Sequence, residues 1–423
     1  MILRDRILAQ LRRRLADAEL PLRLRFWDGV EFDFARAPSV TITLNKPAVL
    51  RQFLLGDIDR LGRSYVEGNI EVDGRLSDIL AVGIALAERA GRSSTLSRLP
   101  RALAWLGRAR KHSRSYDAAA ISYHYDVSNE FYQLWLDRSM TYSCAYFRTG
   151  DEDIDTAQEQ KLDHICAKLR LRDGERLLDI GCGWGGLLVR AARRYGISGV
   201  GVTLSERQYA FARERIAAEG LADRLEIRLQ DYRDIPGEAA FDKVVSVGMY
   251  EHVGRRNLPL YFAAIARLLK PGGVLLNHGI TTGNRDGEGQ GVRSSFIERY
   301  VFPGGELPHI SRVLYEMAGG GLEPLDVENL RPHYALTLLH WVRRLESRKA
   351  RAIELAGPER YRIWRIYMAG CAYAFERGWL SIHQVLAVKP GRAGDAPRPW
   401  TRAHLYVPDD PAKLAAPPTW EGV

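Results

Sequence analysis

A hydrophobic run that reaches a carboxylate and then breaks into glycines is the strongest chemical signal in the chain: Leu177-Leu178-Asp179-Ile180-Gly181-Cys182-Gly183-Trp184-Gly185-Gly186. Gly181, Gly183 and Gly185 allow a tight turn from strand into helix. Lacking side chains, they let the backbone approach a ligand closely. A dinucleotide fold places an acidic residue about 20 positions further on, for a ribose hydroxyl. Here that region reads Gly201-Val202-Thr203-Leu204-Ser205, and the glycine spacing departs from GxGxxG. A carboxylate does follow the next short strand, in Leu229-Gln230-Asp231-Tyr232. The pattern points to a nucleotide-type ligand other than a dinucleotide.

Such a loop needs a sheet to hold it. Strand-like and helical runs alternate over 176–180, 186–195, 199–204, 206–219, 225–229, 244–247, 260–269 and 274–278. Alternating β and α with glycine at the turns predicts a doubly wound parallel sheet. Leu269-Lys270-Pro271-Gly272-Gly273-Val274-Leu275 is the helix-turn-strand punctuation expected late in it. Ahead of this block, 1–90 reads as a smaller α+β unit. Ile2, Ile7, Leu8, Leu11 and Leu15 recur at helical spacing. Leu22-Arg23-Leu24-Arg25-Phe26 and Val40-Thr41-Ile42-Thr43-Leu44 alternate as strands do, and 76–87 reads as an apolar helix. Residues 91–117 read as a basic amphipathic linker, 118–388 as the main domain, and 389–423, with 7 of the 19 prolines, as an irregular extension.

The 423 residues carry 61 Lys plus Arg against 52 Asp plus Glu, a net charge of +9 that suits an anionic partner. From 90 to 116 there is no acid, and seven Lys or Arg are interleaved with Leu96, Leu99, Leu103, Trp105 and Leu106. That stretch is either a solvated linker or a segment that lies on anionic lipid. The four cysteines, Cys144, Cys166, Cys182 and Cys371, are scattered without a CxxC pair. No metal site or disulfide framework is expected, and a reducing cytoplasm is. The N-terminus has no signal-peptide core. The longest apolar stretch falls far short of the ~20 residues that span a bilayer. Any membrane contact is expected from the inner surface.

The DxGxGxG loop, the carboxylate at Asp231 and the following strand resemble class I S-adenosylmethionine-dependent methyltransferases. Four further segments resemble the cyclopropane-fatty-acid-phospholipid synthase family, which includes the mycolic acid cyclopropane synthases. They are Tyr123-His124-Tyr125-Asp126-Val127-Ser128-Asn129-Glu130-Phe131-Tyr132, Met140-Thr141-Tyr142-Ser143-Cys144-Ala145-Tyr146-Phe147, Ser246-Val247-Gly248-Met249-Tyr250-Glu251-His252-Val253-Gly254 and Arg331-Pro332-His333-Tyr334-Ala335. The resemblance spans about 118–388 in order. It implies a Rossmann-like doubly wound sheet with an N-terminal α+β lipid-binding domain.

The resemblance also implies roles. Tyr142 and Ser143 should meet the methionine end of S-adenosylmethionine. Asp179, Gly181, Gly183 and Gly185 should shape the loop, with Cys182 lining it. Thr203, Leu204 and Gln208 should replace the acidic ribose ligand, and Gln230 and Asp231 should flank the adenine. In the family the base is a bound bicarbonate ion. Its pocket maps to Cys144, Glu251, His278, the backbone of Ile280, and Tyr334. Each of these side chains also has a plain reading as core packing or helix-start chemistry. Cys371 matches a family cysteine once considered a nucleophile, but the chemistry needs no thiolate and packing is the preferred reading.

The implied reaction delivers a methylene from S-adenosylmethionine across a cis double bond of a phospholipid acyl chain. A carbocation forms on the way. It calls for aromatic faces such as Tyr142, Tyr146, Phe147, Tyr250 and Tyr334, and for a base held away from water. The first rival is a methyl- or methylene-branched product from the same cation. The second is methylation of a soluble small molecule. A nucleic-acid substrate is suggested by charge alone, with no base-reading motif, and none is expected. A non-catalytic lipid-binding protein would have no use for both the loop and the anion pocket. Bacterial relatives suggest a homodimer.

Overall fold

Leu22–Arg25 and Val40–Leu44, the alternating runs near the N-terminus, form strands β1 and β3 of a computed structural model of the chain. Their alternate side chains enter an apolar cluster with Phe26, Val49, Leu50 and Tyr65. The structure describes residues 20–55, 58–75, 78–79, 81–83, 85, 127–283, 295–302, 305–391 and 398–405. The helix expected over 2–15, the basic stretch 90–116, the 123–126 part of the first motif and most of the proline-rich tail lie outside the described residues.

The described residues fall into two compact units. One draws on 1–110, 293–303 and 345–373, the other on 111–292, 304–344 and 374–423. In the first, β2 (Glu31–Asp33) and β4 (Ile70–Gly74) complete a sheet of order β2-β1-β3-β4, in which only the β1–β3 pair is parallel. Helices α1 (Pro47–Leu55) and α2 (Ile58–Val66) join β3 to β4. Within the same unit, Arg365 reaches back to α2: its guanidinium donates to Tyr65 Oη at 2.9 Å, and also to Glu346 Oε1 at 2.7 Å.

The second unit opens with α3 (Asn129–Gln133) and α4 (Ile154–Leu169). An alternating series follows: β5 (Arg176–Ile180), α5 (Gly186–Tyr195), β6 (Ser198–Thr203), α6 (Glu206–Ala218), β7 (Leu225–Leu229) and β8 (Phe241–Val247). Then come α7 (Tyr250–Val253), α8 (Leu258–Leu268), β9 (Leu269–Thr282), α9 (Ser295–Tyr300, a segment of the first unit), α10 (Ile310–Gly319), β10 (Glu323–Asn329), α11 (Arg331–Ser347), α12 (Lys349–Glu376, mostly in the first unit) and β11 (Leu380–Val388). The strands form one sheet of order β10-β11-β9-β8-β5-β6-β7. Helices α4, α5 and α6 close one face around Leu188, Cys166 and Leu276. Helices α7, α8 and α10 close the other around Phe262, Ile265 and Leu275. This is the doubly wound class I methyltransferase architecture, with one departure from a purely parallel sheet. Strand β11 lies antiparallel between β9 and β10. All nine of its residues are buried, as a strand covered on both faces requires.

Local chemistry sets the element ends. Asp153 caps α4 by accepting from Thr156 N–H. Ser205 caps α6 by accepting from Gln208 N–H at 3.3 Å. Gly185 and Gly196 bracket α5, both at positive φ. Among the described residues no helix is long and apolar enough to cross a membrane.

Candidate active site

The glycine loop leaves the C-terminal end of β5 at the middle of the sheet, where open α/β sheets bind ligands. Gly181 sits at φ 82°. The positive φ favours glycine, and a Cβ there, 3.1 Å from Met249 Cγ, would require that side chain to give way by a few tenths of an ångström. Gly181 and Cys182 N–H both donate to Val202 O, which fixes the loop against the end of β6. Trp184 Nε1 donates to Asn129 Oδ1 at 2.9 Å.

Facing the loop is the segment 137–143, organised by Asp137. Its carboxylate accepts from Ser139 N–H and Thr141 N–H, each at 2.8 Å, and from the Ser139 hydroxyl. Helix α4 holds the other side of this segment. Gln158 Nε2 donates to Thr141 O and Ser143 O, and Lys161 Nζ donates to Ser143 Oγ at 3.0 Å. The Tyr142 ring lies 5.3 Å from Trp341 and 5.5 Å from Trp135, centroid to centroid. Loop and segment together wall a cavity. Tyr142, Ser143, Asp179, Gly181, Cys182, Gly183 and Gln208 line it, joined by Lys161, Trp184 and Val247.

Three ionisable groups in this wall are perturbed, the Cys182 thiol among them, pushed well up by burial. Burial pushes the Asp179 carboxyl up to about 7, against the pull of Lys161. Burial brings the Lys161 ammonium down to about 8, opposed first by Asp137 and also by Asp179. Thr203 does not line the cavity itself. Its hydroxyl donates to Gln208 Oε1 at 2.8 Å, which turns the Gln208 amide N–H groups toward other partners. Leu204 follows at the end of β6. Gly185 is the α5 cap, packed against Ala212. Beyond β7, Gln230 Nε2 binds Asp234 O, and the Asp231 carboxylate is clamped by Arg233 at 2.9 and 2.6 Å. Neither Gln230 nor Asp231 lines the cavity.

Glu251 and His278 belong to segments that meet at the end of β8. Glu251, on α7, accepts the Ile280 backbone N–H on Oε1 at 2.7 Å, while Oε2 is buried with no partner among the described residues. Burial pushes this carboxyl up to about 7, opposed by the Ile280 hydrogen bond. His278, two residues before Ile280 on the same face of β9, is fully buried. Gln384 Nε2 lies 3.2 Å from its Nδ1. With Gln384 donating, the ring proton sits on Nε2, an atom with no partner among the described residues. Burial, then the charges of Lys161 and Lys168, keep this imidazole neutral. Cys144 and Tyr334 meet at one carbonyl: Cys144 Sγ donates to Leu330 O at 3.8 Å, and Tyr334 N–H to the same oxygen at 3.1 Å. Burial pushes the Cys144 thiol up, so it stays protonated. Cys371 sits on α12, in the other compact unit, and burial pushes its thiol up to about 12.

Asp137, Gln158 and Lys161 fall outside the motif segments that the sequence marks. The signal was present on α4. Gln158, Lys161, Ile165 and Lys168 are spaced three to four apart and share one helix face. That face is buried, polar residues included, although polar side chains in a helix usually mark its solvent side.

Residues 112–385 match the family described as mycolic acid cyclopropane synthetase, and residues 11–94 match a domain family of unknown function. The chain is 48% identical over 402 residues to a protein of Pseudomonas putida named probable fatty acid methyltransferase, covering 95% of this chain and 100% of that protein. It is 39% identical over 263 residues to the cyclopropane-fatty-acyl-phospholipid synthase of Escherichia coli, covering 62% of this chain and 66% of that enzyme. Among solved structures, a mycolic acid cyclopropane synthase complexed with S-adenosylhomocysteine and CTAB superposes with a TM-score of 0.61 at 35% identity, covering 64% of this chain and 98% of that one.

Proposed function

The chain belongs to the mycolic acid cyclopropane synthetase family of S-adenosylmethionine-dependent enzymes, and on that footing we propose that it is a fatty acyl C-methyltransferase whose product carries a methyl or methylene branch. One observation carries the choice. The relative that aligns with 95% of this chain is named a fatty acid methyltransferase, whereas the cyclopropane synthase aligns with 62%.

The residues support the chemistry as follows. When bound, S-adenosylmethionine supplies an electrophilic methyl group on its sulfonium. Tyr142, Ser143, Asp179, the loop glycines and Gln208 would hold it, while Gln230 and Asp231, outside the cavity and engaged by Asp234 and Arg233, would have to be released to reach the adenine. A cis double bond in an acyl chain takes the methyl, and positive charge is left on the chain. Aromatic faces such as Tyr142 tolerate that charge without quenching it. One proton must then leave. Loss from a chain carbon gives a methyl-branched alkene. Loss from the methyl after a hydride shift gives a methylene branch, and loss from the methyl directly closes a ring. All three outcomes add one CH2.

The ring is the second reading, and the buried unpartnered atoms Glu251 Oε2 and His278 Nε2 favour it. An acceptor and a donor of this kind fit a small protonated anion such as bicarbonate. The Ile280 N–H fits less well, being already engaged by Glu251. The substrate is proposed to be an unsaturated phospholipid met at the cytoplasmic membrane surface by the basic stretch, and the enzyme to be a homodimer.

The test mixes the protein with S-adenosylmethionine and vesicles of a cis-unsaturated phospholipid, followed by lipid mass spectrometry and proton NMR. A gain of one CH2 with methyl-doublet or exocyclic-methylene signals supports the branching reading. Upfield ring protons replace it with the cyclopropane reading. No mass gain despite cofactor binding overturns the phospholipid substrate.

A further inference from the structure

Lys161 is a buried cation in search of an anion. Its side chain is 2% exposed, its hydrogen bond goes to the Ser143 hydroxyl, and among the described residues no carboxylate lies within salt-bridge distance of it. Asp137, the first of the opposite charges that act on it, is committed to Ser139 and Thr141. An ammonium has three N–H groups, and burying it without a paired charge is costly. Lys161 nonetheless lines the cavity, in the same wall as Ser143 and the loop glycines. The ligand assigned to that cavity carries one carboxylate, at its amino-acid end.

We propose that Lys161 is a cofactor-binding residue whose ammonium, together with the Ser143 hydroxyl, recognises the amino-acid carboxylate of S-adenosylmethionine. The inference rests on reading the cavity as the cofactor site. It adds an ionic determinant on α4 to the loop contacts that the sequence suggested. Gln158, one turn earlier on the helix, fixes the Thr141 and Ser143 carbonyls and so sets the hydroxyl in register with the ammonium.

Isothermal titration of the full chain tests it with two probes, S-adenosylhomocysteine and 5′-methylthioadenosine. The second keeps the nucleoside and thioether but has no amino-acid end. Lys161→Met is expected to weaken S-adenosylhomocysteine binding at least tenfold and to leave methylthioadenosine within twofold. Methylthioadenosine binding also reports that the variant is folded. If Lys161→Met does not fold, Ser143→Ala carries the same comparison, with the same selective loss expected. Equal losses for both probes, or no loss for S-adenosylhomocysteine, overturn the proposal. If the unaltered protein binds neither probe, the cofactor reading of the cavity falls first, and that failure is seen before any variant is compared.

Discussion

Glu251 Oε1 accepts the backbone N–H of Ile280 at 2.7 Å, and the neighbouring Tyr250 hydroxyl donates to the carbonyl of that same Ile280 at 2.7 Å. Two consecutive residues of α7 thus clasp one residue of β9 through its amide and its carbonyl. The clasp points the second Glu251 oxygen into a buried space without a partner among the described residues. Glu251→Gln keeps the acceptor for Ile280 and replaces the free oxygen with an amide. General-base arrangements contribute about 10²–10⁴-fold in rate. The substitution is therefore expected to lower turnover at least about 100-fold, with S-adenosylhomocysteine affinity within twofold. Normal turnover would remove Glu251 from the proton-transfer machinery.

The same carboxyl sets a pH dependence of stability. Its folded value of about 7 lies above the ordinary 4.5, because burial disfavours the charge. The folded chain therefore holds this proton more tightly than the unfolded chain does. The contribution is fully present below about pH 4.5 and is lost as pH rises toward 7. Tyr250 and Tyr261, whose phenols feel the Glu251 charge, are both pushed upward by burial and stay neutral through that window. Urea midpoints of the ligand-free protein and of Glu251→Gln should converge near pH 4.5 and separate toward pH 7, the variant being more stable by on the order of 3 kcal/mol. Parallel curves would mean that Glu251 is solvated.

Gly279 is the floor on which the clasp rests. A Cβ at this position would fall 2.0 Å from the Tyr250 ring. Tyr250 is 2% exposed, so its ring can retreat only against buried neighbours. Gly279→Ala should cost about 1–3 kcal/mol, the usual range for overpacking. It should also depress turnover beyond the stability loss, because moving Tyr250 carries Glu251 with it. Denaturant titration and steady-state rates at a temperature where the variant stays folded read the two effects separately. Wild-type values in both would show that the ring moves freely.

Much of the fold was legible because its signals are local. The run at 176–180 and the glycines after it mark β5 and its loop, and both fall where expected. The antiparallel β11 was not legible in the same way. Its place between β9 and β10 is decided by pairing partners about 100 and 60 residues away, which no periodicity encodes. Nor does a reading along the chain reveal that 345–373 packs with the N-terminal residues. At the site, glycines and motif residues were visible by type. Lys161 and Gln158 were not, because burial alone separates them from a solvated helix face.

The Thr203–Gln208 hydrogen bond offers a check on the proposal that these two residues stand in for an acidic ribose ligand. Both side chains are buried, and the Thr203 hydroxyl occupies the Gln208 carbonyl oxygen at 2.8 Å. Gln208 lines the cavity, so its amide group is presented there with a fixed orientation. Thr203→Val preserves shape and removes the donor. The Gln208 oxygen is then left buried without that bond, or the amide turns over and offers the wrong atom to the ligand. Either outcome should weaken S-adenosylhomocysteine by roughly tenfold, equivalent to ~1.4 kcal/mol. Methylthioadenosine, which keeps the ribose, should weaken to the same degree, in contrast to the selective loss expected at Lys161. Calorimetry that finds either ligand unaffected by Thr203→Val would separate Gln208 from ribose recognition and return that role to the residues after β7.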